Sequence, residues 1–342
     1  MSLKVIIEPD GRSLDVNPGE SILAAAMRHG VNLTYVCRNA VCGTCKGSLF
    51  AGTVDYGKPE PPGLTTEEKT LGLILLCQAI PTSDLRIRAP IINTPENIPI
   101  KNIPTFVVAK QQLSHDVIKL LLKPAGNSRL QFFAGQYLDI ILADGQRRSF
   151  SIASSPHDKE LIELHIRHIE DGEFSAFLYS QLKEKDMLRI EGPFGQFYLH
   201  GADTPLIFMA GGTGFAPIKS IIECALQDGI EQVMYLYWGA RTRQDLYLDV
   251  LPQQWSRKAN INYIPVLSDT PAVDQWRGRQ GMVHEAIAGD FADLANYAVY
   301  AAGPPAMIKA GWQALSRNGL RRDCYYSDAF TFAHDTLAGN NL

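Results

Sequence analysis

"CRNAVCGTCKG" occupies residues 37–47, and its spacing decides how the N-terminal part of the chain is read. Three of the six cysteines, Cys37, Cys42 and Cys45, fall within nine residues as C-x4-C-x2-C. A fourth, Cys77, follows in "LLCQA" after 31 intervening residues. Six cysteines in 342 residues are too few for a disulfide scaffold. The opening "MSLKVIIEPDG" places charged and turn-forming residues where a secretory leader needs an apolar core, and no run of ~18 apolar residues occurs anywhere. A reducing, cytoplasmic setting is therefore expected, and there clustered thiols point to metal or redox chemistry. The net charge of −4 gives no electrostatic support for nucleic-acid binding. With 46% hydrophobic and 20% charged residues, the chain reads as globular, with two or three domains.

C-x4-C-x2-C with a distant fourth cysteine is the spacing of a 2Fe–2S centre, so Cys37, Cys42, Cys45 and Cys77 are the expected metal ligands. A tight loop can bring three thiolates to two irons only if its residues are small. Gly43, Thr44 and Gly47 meet that need and let backbone N–H groups face the sulfur atoms. The alternative is a zinc site or buried thiols, but zinc sites usually pair two C-x2-C units and only one is present. Cys224 and Cys324 read as structural thiols. On these residues the segment 1–89 resembles the plant-type 2Fe–2S ferredoxins, which implies a β-grasp fold. Ala40 stands where that family usually has Gly. If the backbone there is left-handed, Ala costs about 1 kcal/mol.

The rest of residues 1–89 fits short strands around one helix, "LKVIIE" alternating and "SILAAAMRHG" closing on Gly30. Residues 90–104, with four prolines, read as an extended linker. Residues 105–200 carry short strands separated by Gly, Pro, Asp or Asn, with one helix near Ser175–Leu182, which suits an antiparallel barrel. In 201–342, "PLIFMA" leads into "GGTGFAP" and a helix with Ile218, Ile221, Ile222, Ala225 and Leu226 on one face. Pro217 lies in its first turn, and further strands and helices alternate after it. That pattern predicts a doubly wound parallel sheet. The expected class is thus α+β and α/β, in three domains.

"RSFSIASSP" (148–156) resembles the R-x-Y-S flavin motif of the ferredoxin-NADP reductase superfamily, with "AGQYLDI", "EGPFGQFYL" and "GGTGFAP" as further matches. The resemblance implies FAD held by Arg148, Ser149, Phe150 and Ser151. Arg148 offers a fork of donors to the pyrophosphate, Phe150 an aromatic face, and Ser151 a hydroxyl near flavin N5. "HIR" (His165, Ile166, Arg167) matches the strand along the adenylate half. "GEFS" (Gly172, Phe174, Ser175) matches a turn offering a helix N-terminus to the pyrophosphate. Gly211, Gly212, Thr213, Gly214 and Pro217 match the nicotinamide-nucleotide turn. "AAGPPAM" places Gly303 and Pro304 beside the nicotinamide, with Ala302 where the family usually has Cys. In "YYSDAF", Phe330 matches the partner of the flavin ring, and Asp328 supplies a carboxylate near the nicotinamide. Ser151, Asp328 and Phe330 are accordingly the expected catalytic residues. Arg241 and Arg243 could hold a 2′-phosphate, but Asp269 follows Ser268 where NADPH members carry Arg, so NADH is expected over NADPH.

The order of segments resembles the NADH-dependent reductase components of bacterial oxygenases and the CDP-6-deoxyglucoseen reductases, with "YWGAR" and "YYSDAF" closer to the latter. It implies electrons passing from NADH through FAD and the 2Fe–2S cluster to a partner protein, an oxygenase or a dehydratase component. A stand-alone flavin or ferric reductase and a redox-sensing iron–sulfur module are the alternatives.

Overall fold

A computed structural model describes residues 2–57, 60–91, 98–169, 172–201, 203–258, 260–270 and 276–330. The chain divides into two compact units, Met1–Asn97 with Ala329–Leu342 and Ile98–Asp328.

The first unit carries strands β1 (Leu3–Glu8), β2 (Arg12–Val16), β3 (Lys46–Ala51), β4 (Val54–Asp55), β5 (Leu73–Leu75), β6 (Ile80–Pro81) and β7 (Leu85–Arg88), with helices α1 (Ile22–Arg28) and α2 (Thr66–Thr70). Its five-stranded sheet has the order β2-β1-β7-β3-β5, with β1 parallel to β7. This is the expected grasp: alternation buries Val5 and Ile7 on one face, and α1 covers them with Ile22, Leu23, Ala25 and Ala26. The Ser21 hydroxyl caps α1 by accepting from Ala24 N–H at 3.2 Å.

The second unit begins with strands β8 (Lys101–Gln112), β9 (Val117–Pro124), β10 (Tyr137–Ile141), β11 (Arg147–Ser151) and β12 (Ile162–Arg167). Helix α3 (Glu173–Ser180) and β13 (Met187–Phe194) follow. They form an antiparallel sheet in the order β11-β10-β13-β8-β9-β12, and an Ile152–Leu164 bridge joins its two ends into the expected barrel. Strand β8 starts at Lys101, inside the stretch read as a linker. Pro104 brings no N–H to the sheet, but its carbonyl accepts from Ala125 N–H at 2.9 Å. Residues 92–97 of that stretch lie outside the described residues. Along β12, Ile162, Leu164 and Ile166 point into the barrel core, which leaves Glu163, His165 and Arg167 on the opposite face.

The same unit continues with β14 (Leu206–Gly211), α4 (Phe215–Gln227), β15 (Met234–Ala240), α5 (Val250–Lys258) and β16 (Ile261–Leu267). It ends with β17 (Arg279–Gln280), α6 (Val283–Asp290), β18 (Ala298–Gly303), α7 (Pro305–Leu315) and β19 (Tyr325–Ala329). The sheet order is β17-β16-β15-β14-β18-β19, with β14 parallel to both β15 and β18, so the topology reverses at β14. A doubly wound sheet binds its ligand at the carboxyl ends of strands beside such a reversal, where "GGTG" lies. The boundary expected at residue 200 runs through this single unit, because polar side chains knit barrel and nucleotide domain together, as described below. No helix among the described residues is long and apolar enough to cross a membrane.

Candidate functional site

In the cysteine loop Arg38, Ala40 and Gly43 all have positive φ, 57°, 58° and 72°. The Ala40 conformation is the left-handed one that favours glycine. It is kept because the Ala40 carbonyl accepts from Gly63 N–H at 2.8 Å, and a Cβ on Gly63 would strike that carbonyl. The loop wraps its sulfurs in backbone donors: Asn39 and Cys42 N–H reach Cys37 Sγ at 3.4 and 3.5 Å. Cys77 is brought up by long-range pairing. Leu76 N–H donates to the Cys45 carbonyl at 3.0 Å, and the Gln78 amide donates to the Arg38 carbonyl at 2.9 Å.

The four thiols act as two pairs. A hydrogen bond between Cys37 and Cys42 pushes the Cys37 thiol up and draws Cys42 down. A second bond raises Cys77 and lowers Cys45. Within each pair the two sulfurs share a hydrogen bond, which places them close enough to serve one iron. Four convergent sulfurs, small neighbours and N–H donors aimed at sulfur fit a 2Fe–2S cluster.

On β11, Arg148 donates to Gln146 Oε1 at 2.8 Å and to the Arg147 carbonyl at 3.0 Å. Among the described residues it has no carboxylate partner, whereas its neighbour Arg147 pairs with Glu191. A guanidinium left with its charge uncompensated fits a pyrophosphate. Phe150 packs on Phe174, ring centroids 5.4 Å apart. The Ser149 hydroxyl turns to buried Asp139 at 2.7 Å. Ser151, the last residue of β11, donates to Oδ2 of buried Asp328 at 3.4 Å, which brings together two of the three expected catalytic residues from 177 positions apart. Phe330, half-buried, follows β19.

The "HIR" residues separate in role. Ile166 is barrel core. The His165 side chain is fully buried and turned away from solvent: Nε2 lies 2.7 Å from Glu163 Oε1, and Nδ1 lies 3.0 Å from the Tyr247 hydroxyl. Burial lowers the His165 pKa, so the ring is neutral, donating from Nε2 and accepting from Tyr247. Burial alone would raise Glu163. The His165 hydrogen bond and the charge of Lys219, 3.4 Å away, outweigh it and bring the carboxyl down to about 2. The imidazole thus ties β12 to the stretch between β15 and α5 that carries Tyr247. Arg167 lies 3.2 Å from Asp116 with its buried Nε off hydrogen-bond geometry, and its guanidinium sits against Gly212, where a Cβ would collide with it. It is the member of the triplet that borders the nucleotide turn.

In the "GEFS" turn, Gly172 precedes α3, and the Ser175 hydroxyl serves its own loop through the Ile169 and Gly172 carbonyls at 2.8 and 2.9 Å. In the nucleotide turn, Gly212–Gly214 form a single 3-10 turn between β14 and α4, and Pro217 lies in the first turn of α4. A Cβ on Gly214 would collide with the Ala302 carbonyl, and one on Gly211 with Met307. Gly303, at φ 148°, and Pro304 therefore run in backbone contact with the turn. Trp238 Nε1 donates to the Gly212 carbonyl at 3.0 Å, and the Trp238 ring stacks on Phe215 at 3.9 Å. Trp238, Tyr247, Glu163 and Lys219 were missed in the sequence, where each looks like an ordinary strand or helix residue.

The match to known families follows the same divisions. The 2Fe-2S iron-sulfur cluster binding domain matches residues 5–82, the oxidoreductase FAD-binding domain 104–198 and the oxidoreductase NAD-binding domain 208–312. A CDP-6-deoxy-L-threo-D-glycero-4-hexulose-3-dehydrase reductase of Yersinia pestis is 36% identical over 96% of this chain and 99% of its own. The chain belongs to the iron–sulfur flavoprotein reductases.

Within that family it is also 35% identical to the reductase component of phenol 2-monooxygenase from Pseudomonas sp. (strain CF600), over 97% of this chain and 96% of the relative. The solved structure of a cytochrome P450 reductase from Amycolatopsis superposes with a TM-score of 0.83 at 30% identity, covering 97% of this chain and 99% of that one. This reductase is an NAD(P)H-dependent oxidoreductase that uses a 2Fe–2S cluster, FAD and NADH and delivers electrons to a partner protein.

Proposed function

We propose that the acceptor is a separate protein taking electrons one at a time, a deoxysugar dehydrase like the one served by the Yersinia relative. The observation that carries this reading is the end-to-end match to that relative across all three domains, with "YWGAR" and "YYSDAF" at the nucleotide and flavin ends. FAD bound here would supply the exchange between two-electron hydride chemistry and one-electron transfer. The chain's residues supply the setting. Arg148 anchors the pyrophosphate and Phe150 supports the ring system. Ser151 would turn its one O–H from Asp328, to which it donates at 3.4 Å, toward the place where negative charge develops. Phe330 closes the ring's other side. The glycine turn at 211–214 and Gly303–Pro304 hold the nicotinamide nucleotide. Domains at 1–89, 105–200 and 201–342 and a cytoplasmic setting belong to the same reading.

NADH is preferred to NADPH on this account. Asp269 follows β16, its N–H bonded to the Arg241 carbonyl at 2.8 Å and its residue exposed, and on this reading its carboxylate faces the ribose of the nucleotide. A 2′-phosphate there meets like charge. We expect kcat/KM for NADH to exceed that for NADPH at least ~10-fold, about 1.4 kcal/mol. The acceptor test is anaerobic reconstitution with NADH and either the Yersinia dehydrase or a phenol hydroxylase oxygenase component. Faster cluster reoxidation by the dehydrase supports the proposal; faster reoxidation by the oxygenase overturns it.

A further inference from the structure

The last turn of α4 and the loop after β11 bring together three side chains that the electron-transfer route does not use. Cys224 and Asp228 are four residues apart and share one face of the helix end. His157 comes from the barrel. His157 Nε2 lies 2.7 Å from Asp228 Oδ1, and Cys224 Sγ donates to Asp228 Oδ2 at 3.2 Å. One donor atom from each residue lies within 4.8 Å of the other two. The backbone is already fastened at this point. Ser155 Oγ donates to Gln227 Oε1 at 2.6 Å and accepts from His157 N–H at 3.3 Å, so the loop that carries His157 is fixed against the helix that carries its two companions.

We propose that His157, Cys224 and Asp228 form a divalent-metal site for Zn²⁺, distinct from the four cluster cysteines. The donor set is one imidazole, one sulfur and one carboxylate oxygen. It mixes soft and borderline ligands of the kind zinc takes, and it would be a poor site for magnesium or calcium, which select oxygen. Zinc would displace the Cys224 thiol proton, now donated to Asp228, into solvent, and the resulting thiolate and the carboxylate together balance the charge of the ion. The end of α4 presents the negative pole of its dipole to a cation. His157 and Asp228 are about half-exposed, so water can complete a tetrahedron as the fourth ligand. The ion would staple the barrel loop to the helix that begins at the nucleotide turn.

The test uses the holoprotein with FAD and cluster in place, stripped of loosely bound metal and dialysed against Zn²⁺. One equivalent of zinc per chain is expected, with no loss of cluster absorbance. X-ray absorption at the zinc edge should show one sulfur at about 2.3 Å and nitrogen or oxygen neighbours at about 2.0–2.2 Å. Cys224→Ser and His157→Ala should each lose that equivalent while keeping FAD and cluster, and Cys324→Ser should keep it. Zinc should raise the temperature of FAD release in the parent and in neither of the two defective variants. Zinc uptake undiminished in both variants, or an absorption edge without a sulfur neighbour, overturns the site. If one variant fails to fold, the other and the edge spectrum still decide.

Discussion

The cysteine loop and the seam between barrel and nucleotide domain are held together in opposite ways. The loop is built from local backbone. Three of its four thiols lie within nine residues, positive φ values turn the chain, and main-chain N–H groups face sulfur. The seam is built from side chains that meet across 66 to 177 positions: Lys219 with the Ala153 carbonyl, His165 with Tyr247, Ser151 with Asp328. A site made by a short turn tolerates few residue types but needs little help from afar. A site made by distant side chains is as secure as the packing that delivers them.

The largest effect should fall on the loop. Cys77→Ser is expected to remove the visible absorbance, iron and acid-labile sulfide of the cluster while FAD is retained. Ferricyanide reduction by NADH should persist, and reduction of the protein partner should drop to background. A normal iron and sulfide content would break the contrast, since it would mean that the loop does not depend on its one distant thiol.

At the seam, Ser151→Ala removes a hydroxyl without adding bulk. We expect flavin bleaching by NADH, followed by anaerobic stopped flow, to slow by roughly 10²-fold, about 2.7 kcal/mol, with FAD content unchanged. A rate within about twofold of the parent would reduce Ser151 to a strand residue and leave the seam purely structural.

What could be read in the sequence divides along the same line. That the four cysteines would come together was legible because cysteine spacing is a local signal, and so was the left-handed backbone at Ala40. The sheets were legible because the period-2 and buried-run patterns are local too, although β13 shows itself in the sequence only through the "EGPFGQFYL" motif and the start of β8 is hidden behind prolines. The partners of His165 and Ser151 were not legible. Glu163 is two residues from His165, but nothing in "LIELHIRHI" says that Tyr247 and Lys219 will close over that face. Cys224 read as a plain structural thiol because His157 lies 67 positions before it and joins it only through tertiary packing.

His165→Phe tests how much the seam's polar network stabilises the unit. It strands the Tyr247 hydroxyl and takes a partner from Glu163, so a loss of about 2–4 kcal/mol is expected, seen as earlier thermal release of FAD. The pH dependence follows from the directions given above. Glu163 falls from 4.5 to about 2 on folding, so its contribution, of order 3 kcal/mol, is complete above pH 4.5 and is lost as the pH drops toward 2. His165 is kept neutral by burial, so its share is complete above 6.5 and fades below it. Both terms favour neutral over acid pH, and the variant should show a shallower acid limb. An unchanged limb would mean that Lys219 alone holds Glu163 down.

The smallest effect should come from Ala40→Gly. Relieving a left-handed alanine is worth about 0.5–1 kcal/mol, less what glycine loses in the unfolded chain. Slightly slower bleaching of the cluster in denaturant is expected. A faster loss would show that the methyl group shields the sulfurs more than its strain costs.

The two polar clasps from α4 to the barrel have a consequence for anyone recombining such reductases. Lys219 Nζ and the Ser220 hydroxyl donate to the carbonyls of Ala153 and Ser154, at 3.1 and 2.6 Å. The donors are side chains and the acceptors are main chain, so the compatibility rule runs in one direction. A foreign flavin module need only follow the same path after β11, whatever its residues there. A foreign nucleotide module must bring its own lysine and serine at the second turn of the helix. Chimeras between relatives should therefore fail more often when the C-terminal piece is the transplant.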